Sequence, residues 1–158
     1  MSSATPTSRD TFRWSSEVAL PVGYLLDTNV ISETVRREPD AAVMRWLDSL
    51  EPEQLHVSVL SLGEIRKGAL AVTDKRRRDK LLYWLHSKLP EWFEDRVLCV
   101  DVAVCERWAE LMAKAGTPVP AIDSLLAATA VHAGVVVATR NVRDFSRLNV
   151  QVFNPWEF

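Results

Sequence analysis

The sequence predicts an α/β domain, with a mostly parallel central sheet of about five strands flanked by helices. Three observations predict it. Short apolar runs alternate with amphipathic stretches along most of the chain, as in strand-helix units whose strands are buried on both faces. The first run ends directly in polar side chains, and open parallel sheets place ligands at such strand ends. The composition, 47% hydrophobic and 25% charged over 158 residues, fits one compact domain and no second.

Residues 1–21 are rich in Ser and Thr and show no apolar period, so they are expected to form a disordered extension before a domain spanning 22–158. They also lack the continuous apolar run of an export signal. Tyr24, Leu25 and Leu26 form the first expected strand, which ends in Asp27, Thr28 and Asn29. Helical spacing follows over Val30 to Arg37, and again over Ala41 to Leu50 up to Pro52. Leu55 to Ser58 is the second strand. Ser61 and Glu64 have the capping-box spacing, which predicts a helix capped by Ser61 with Glu64 near its start. Lys75 to Leu89 reads as a helix with an apolar face of Leu81, Leu82, Leu85 and Leu89, ended by Pro90. Val97 to Val100 is the third strand, and Asp101 is the N-cap of a helix that runs to Ala115 and stops at Gly116. The most apolar stretch, Leu125 to Ala138, is too short to span a bilayer. It reads as a buried helix (Leu125, Leu126, Ala127, Ala130, Val131) stopped by Gly134, then a fourth strand, Val135 to Ala138. Val150 to Phe153 is the fifth.

Nineteen basic against 21 acidic residues leave a net charge of -2, so no global field attracts nucleic acid and any such contact must be local. Cys99 and Cys105 form neither a C-x-x-C pair nor a disulfide framework, which suits a reducing cytoplasm. His56, His86 and His132 stand alone, which makes a zinc site a poor reading. The five glycines match neither phosphate-binding fingerprint, and no nucleophile elbow accompanies the serines.

Carboxylates remain. Asp27 ends a strand, Glu64 starts a helix after one, Asp123 begins the most apolar helix and Asp144 follows the fourth strand by a short loop. Each also has an ordinary structural reading: N-cap, capping-box partner, favourable charge at a helix start, solvated loop residue. Jointly, three of them fall at or just beyond the carboxyl ends of expected parallel strands, one edge of one sheet, where like charges repel. A hard divalent cation, Mg²⁺ or Mn²⁺, relieves that repulsion and suits phosphodiester hydrolysis.

Four segments carry a family resemblance: Leu25 to Glu33, Glu64 to Gly68, Ala121 to Ala130, and Ala138 to Phe145. In that order they resemble the PIN-domain ribonucleases, particularly VapC toxins, and the ending Val152-Phe153-Asn154-Pro155-Trp156 resembles the FitB branch. The resemblance implies a cytoplasmic, metal-dependent endoribonuclease inhibited by a small DNA-binding antitoxin, in a toxin homodimer that assembles further. It makes Asp27, Glu64 and Asp123 metal-site acids and Asn29 and Thr139 their polar supports. A fourth acid is expected between Thr139 and Asp144, where Asn141 holds one position and Asp144 the other.

RNA contact falls to Arg66, Lys67, Arg140, Arg143 and Arg147, which flank the acids in sequence, with solvated helix faces as the alternative. The run Lys75 to Arg78 is diluted by Asp74 and Asp79 and reads as a solvated helix start. Trp46, Trp84 and Trp108 fall on apolar faces and read as core or dimer contacts. Two other functions compete. A phosphotransferase using Asp27 as nucleophile expects a second acid where Asn29 stands, and a catalytically silent interaction protein would not need Asp27, Glu64 and Asp123 together.

Overall fold

Alternation in the short strands decides which helices cover which face of the sheet. In the computed structural model, which describes residues 23–158, the strands are β1 (Tyr24–Leu26), β2 (Leu55–Ser58), β3 (Val97–Leu98), β4 (Val136–Ala138) and β5 (Val152–Phe153). All pairings are parallel, in the order β3-β2-β1-β4-β5. The expected extension, 1–21, lies outside the described residues.

Eight α-helices are described: α1 (Thr28–Glu33), α2 (Ala41–Asp48), α3 (Val59–Leu70), α4 (Lys75–Tyr83), α5 (Leu89–Phe93), α6 (Val102–Ala115), α7 (Ala121–Ala133) and α8 (Val142–Ser146). Leu26, Leu55, Val57 and Ala138 point to one face and meet Val43 and Trp46 of α2, Ile65 of α3, and Leu89 and Phe93 of α5. Their neighbours Leu25 and Val137 point to the other, against Leu126, Ala127 and Ala130 of α7 and Phe145 of α8. Burying a side chain such as Leu25 or Val57 contributes roughly 1.5–3 kcal/mol. The result is helices on both faces of a parallel sheet, as the alternation of the sequence predicts.

Several expectations differ. Ser58, not Ser61, caps α3: its hydroxyl accepts from Leu60 N–H at 3.1 Å, while Ser61 is buried in the first turn and Glu64 is one turn further in. The side chain at the very end of a strand is already placed to cap, so the helix starts sooner. Pro90 does not end its helix. Residues 84–88 widen into a π-turn and Pro90 sits in the first turn of α5, where its missing N–H breaks no ladder. The first helix ends at Glu33 rather than Arg37, and Val131, expected inside, is 38% exposed. Gly116 and Gly134 terminate α6 and α7 in the left-handed region, at φ of 66° and 68°. No helix among the described residues is long and apolar enough to cross a membrane.

Candidate active site

Strand β1 runs to β2 on one side and has β4 on the other, so the carboxyl edge between β1 and β4 is the topological switch point of the sheet. Asp27 leaves β1 there, its N–H held by the Ala138 carbonyl at 3.0 Å. It also caps α1, with Oδ1 accepting from Thr28 N–H at 2.7 Å. The other oxygen, Oδ2, accepts from Thr139 Oγ1 at 2.7 Å and Asn29 Nδ2 at 3.1 Å. Asn29 reaches Thr139 Oγ1 as well (3.2 Å), and its Oδ1 accepts from Arg140 N–H at 3.3 Å. Asp27 and Thr139 are buried. Burial raises the Asp27 pKa most, the Thr139 and Thr28 hydrogen bonds oppose it, Glu64 charge raises it again, and Asn29 opposes it.

Glu64 comes from the second turn of α3, half-buried, and its Oε2 accepts from Thr28 Oγ1 at 3.1 Å. Asp123 stands in the first turn of α7. The adjoining Ser124 is fully buried; its hydroxyl donates to the Ala121 carbonyl (3.0 Å) and accepts from Trp108 Nε1 (2.9 Å), tying α6 to the start of α7. Burial first, then the charges of Asp27, Asp144 and Glu64, push the Asp123 carboxyl up to about 6. Asp144 is in the first turn of α8 and accepts from Asn141 Nδ2 at 2.7 Å. Asn141 N–H in turn donates to Thr139 Oγ1 at 2.9 Å.

The fold thus brings all four acids close enough for Asp123 to respond to the other three. None of the four has a Lys or Arg within ion-pair distance among the described residues. Nor do three acids there converge on one point at ligating spacing. Sequence reasoning passed over Thr28, which donates to Glu64, and Ser124, which braces the start of α7 beside Asp123. The only signal was a hydroxyl residue directly after each aspartate.

Arg66, Lys67, Arg140, Arg143 and Arg147 are all exposed. The basic run begins α4 and is mostly exposed, as a solvated helix start is, and Arg77 from it also lines a groove that reaches Glu64. This groove of about 920 Å³ opens at Thr28 and Glu64, runs over Ile65, Ala69, Leu81 and Trp84, and is rimmed by Arg36, Arg37, Arg77 and Lys80. Trp46 is a core residue, whereas Trp84 also lines this groove.

The PIN domain family model matches residues 24–151. The plasmid stability protein StbB of Pseudomonas syringae pv. tomato is 41% identical over 136 residues, 84% of this chain and 98% of its own. Toxin FitB of Neisseria gonorrhoeae is 36% identical over 135 residues, 84% of this chain and 97% of its own. The solved FitAcB structure from Neisseria gonorrhoeae superimposes with a TM-score of 0.81 at 36% identity, covering 85% of this chain and 99% of that one. The match over most of the chain, with relatives of this identity covered nearly end to end, makes the protein a member of the PIN-domain family of the kind represented by the FitB and VapC toxins.

Proposed function

We propose that the protein is the toxin of a toxin-antitoxin pair, a Mg²⁺- or Mn²⁺-dependent endoribonuclease whose site acids are Asp27, Glu64, Asp123 and Asp144. The observation that carries the reading is a set of acids at the switch point with no basic partner among the described residues, one of them pushed up to about 6 by burial and by the other three. The donor chemistry fits a hard cation: carboxylate oxygens, with hydroxyl and amide groups beside them and no thiol or imidazole among them. Such a cation supplies charge that activates water and steadies the leaving oxygen.

The chain's own residues prepare the site. Thr139 and Asn29 turn Asp27 Oδ2 and hold it against rotation, and Thr28 does the same for Glu64. Asp123, half-buried beside the other three acids, adds its charge to the set that would hold the cation. Arg66, Lys67, Arg140 and Arg143 provide phosphate contacts at the rim. The relatives named VapC ribonuclease and tRNA(fMet)-specific endonuclease VapC support an RNA substrate.

The neighbouring solved structures include FitAB bound to a DNA fragment, which supports a small DNA-binding antitoxin as partner. The same reading takes the toxin as a homodimer within a larger assembly, in the cytoplasm. An antitoxin C-terminal segment crossing the acids would offer Arg or Lys where the cation binds, and the apolar groove leading from Glu64 can seat the segment before it. A purified complex that kept full nuclease activity would count against this partner.

Asp27→Asn and Asp123→Asn each remove ligand charge with little change of volume. Both are expected to abolish RNA cleavage in Mg²⁺ and growth inhibition in cells, with wild-type circular dichroism. Cleavage at the wild-type rate by either purified variant would refute the assignment.

A further inference from the structure

Beyond β5 the chain closes in a 3₁₀ turn, Pro155–Glu157, and Trp156 within it packs on the core face that holds Leu26 and Trp46. The turn is braced locally. Asn154 Oδ1 accepts from Trp156 N–H at 3.2 Å, Asn154 Nδ2 donates to Glu157 Oε1 at 2.8 Å, and Arg45 of α2 donates to the Phe158 carbonyl at 3.4 Å. Over this fixed indole lies the guanidinium of Arg140, its Cζ 5.3 Å from the ring centroid.

Arg140 is the residue after Thr139, which holds Asp27, and its own N–H is tied to Asn29. Among the described residues no carboxylate pairs with Arg140, although the acids stand at the same sheet edge. Arg66, Lys67 and Arg143 have no described side-chain contact of this kind, so Arg140 is the one of the four rim cations that is held in place. An aromatic face orients a guanidinium without neutralising it, and the planar fork keeps its donors for oxygen. An arginine already restrained loses less rotamer freedom when it takes a phosphate.

We propose that Trp156 is a positioning residue for RNA: its indole holds Arg140 so that the guanidinium grips a phosphate of the substrate strand beside Asp27. The inference rests on the ribonuclease reading and adds to it a role for the C-terminal turn.

The test is a double-mutant cycle in the full chain, with Arg140→Ala, Trp156→Leu and the pair, and with Trp156→Phe as the conservative variant. Initial rates over a range of RNA concentrations separate KM from kcat. Anisotropy of a labelled single-stranded RNA, measured in an Asp27→Asn background, reads affinity apart from chemistry. Trp156→Leu should weaken binding and raise KM about three- to tenfold with kcat nearly unchanged, and Trp156→Phe should restore most of the loss. The pair should lose no more than Arg140→Ala alone. If Trp156→Leu proves too unstable to assay, Arg140→Lys, which keeps the charge and loses the planar stack, carries the same expectation. Losses that multiply in the pair, unchanged affinity in Trp156→Leu, or Trp156→Phe failing together with its melting temperature would overturn the proposal. A wild-type protein that neither binds nor cleaves RNA would remove the ribonuclease reading as well; one that does both while Trp156→Leu matches it removes only this role.

Discussion

Asp27 carries two structural duties at once: it caps α1 with one oxygen and presents the other to Thr139 and Asn29. Read as a single residue, either duty accounts for an aspartate at a strand end. Asp123 carries the clearest electrostatic signature. Its folded pKa of about 6 lies above the ordinary 3.8, so between those values the folded chain binds more protons than the unfolded one. The stability Asp123 contributes is therefore full below about pH 4 and lost as pH rises through about 6. Thermal melting in chelator should show this decline in the wild type and a smaller one in Asp123→Asn. Cation affinity should run the opposite way, rising with pH across the same window, because a ligand must shed its proton.

The residue scale also settles how to choose between Asn141 and Asp144. They are bonded to each other, but only Asp144 carries charge, and that charge is felt at Asp123. Asp144→Asn is expected to lower cleavage more than Asn141→Ala, and raised Mg²⁺ or Mn²⁺ should partly rescue it. Rates for both variants across a metal titration provide the check; an Asp144→Asn enzyme with wild-type metal dependence would remove Asp144 from the site.

At the scale of elements, short helices deliver the acids, and their anchors matter more than their own propensity. Five-residue α8 is far below the length that is stable alone, and it is held by Phe145, fully buried against α7 and the sheet. Phe145→Ala should cost roughly 3–5 kcal/mol in denaturant unfolding, as large core deletions do. Cleavage by the folded fraction should fall too, since Asp144 precedes the lost anchor. Element starts and stops were legible where a residue dictates them locally: Asp101 caps α6 and Gly116 and Gly134 end their helices. The Ser61 cap and the Pro90 stop failed for a shared reason. A motif allows a helix boundary, but strand length and the packing of Leu85, Leu89 and Phe93 under the sheet decide whether the chain takes it.

For the whole molecule, the match to the family model begins at residue 24, just beyond the Ser- and Thr-rich segment. Removal of residues 1–21 is expected to leave melting temperature and cleavage unchanged, a comparison that truncated and full-length proteins make directly. Loss of either would mean that the segment packs on the domain or takes part in the site.

By itself, the amino-acid order determined that the chain is a parallel α/β domain and named its candidate acids, because apolar periodicity and the residue types at strand ends are local properties carried by neighbouring residues. Only the tertiary structure decided that Thr28 supports Glu64, that Arg77 and Lys80 rim a groove opening at the acids, and that Trp156 receives Arg140. These pairings join positions far apart in the chain. They depend on which strands are neighbours and on which way each side chain is turned by the packing beneath it, and no local pattern encodes either.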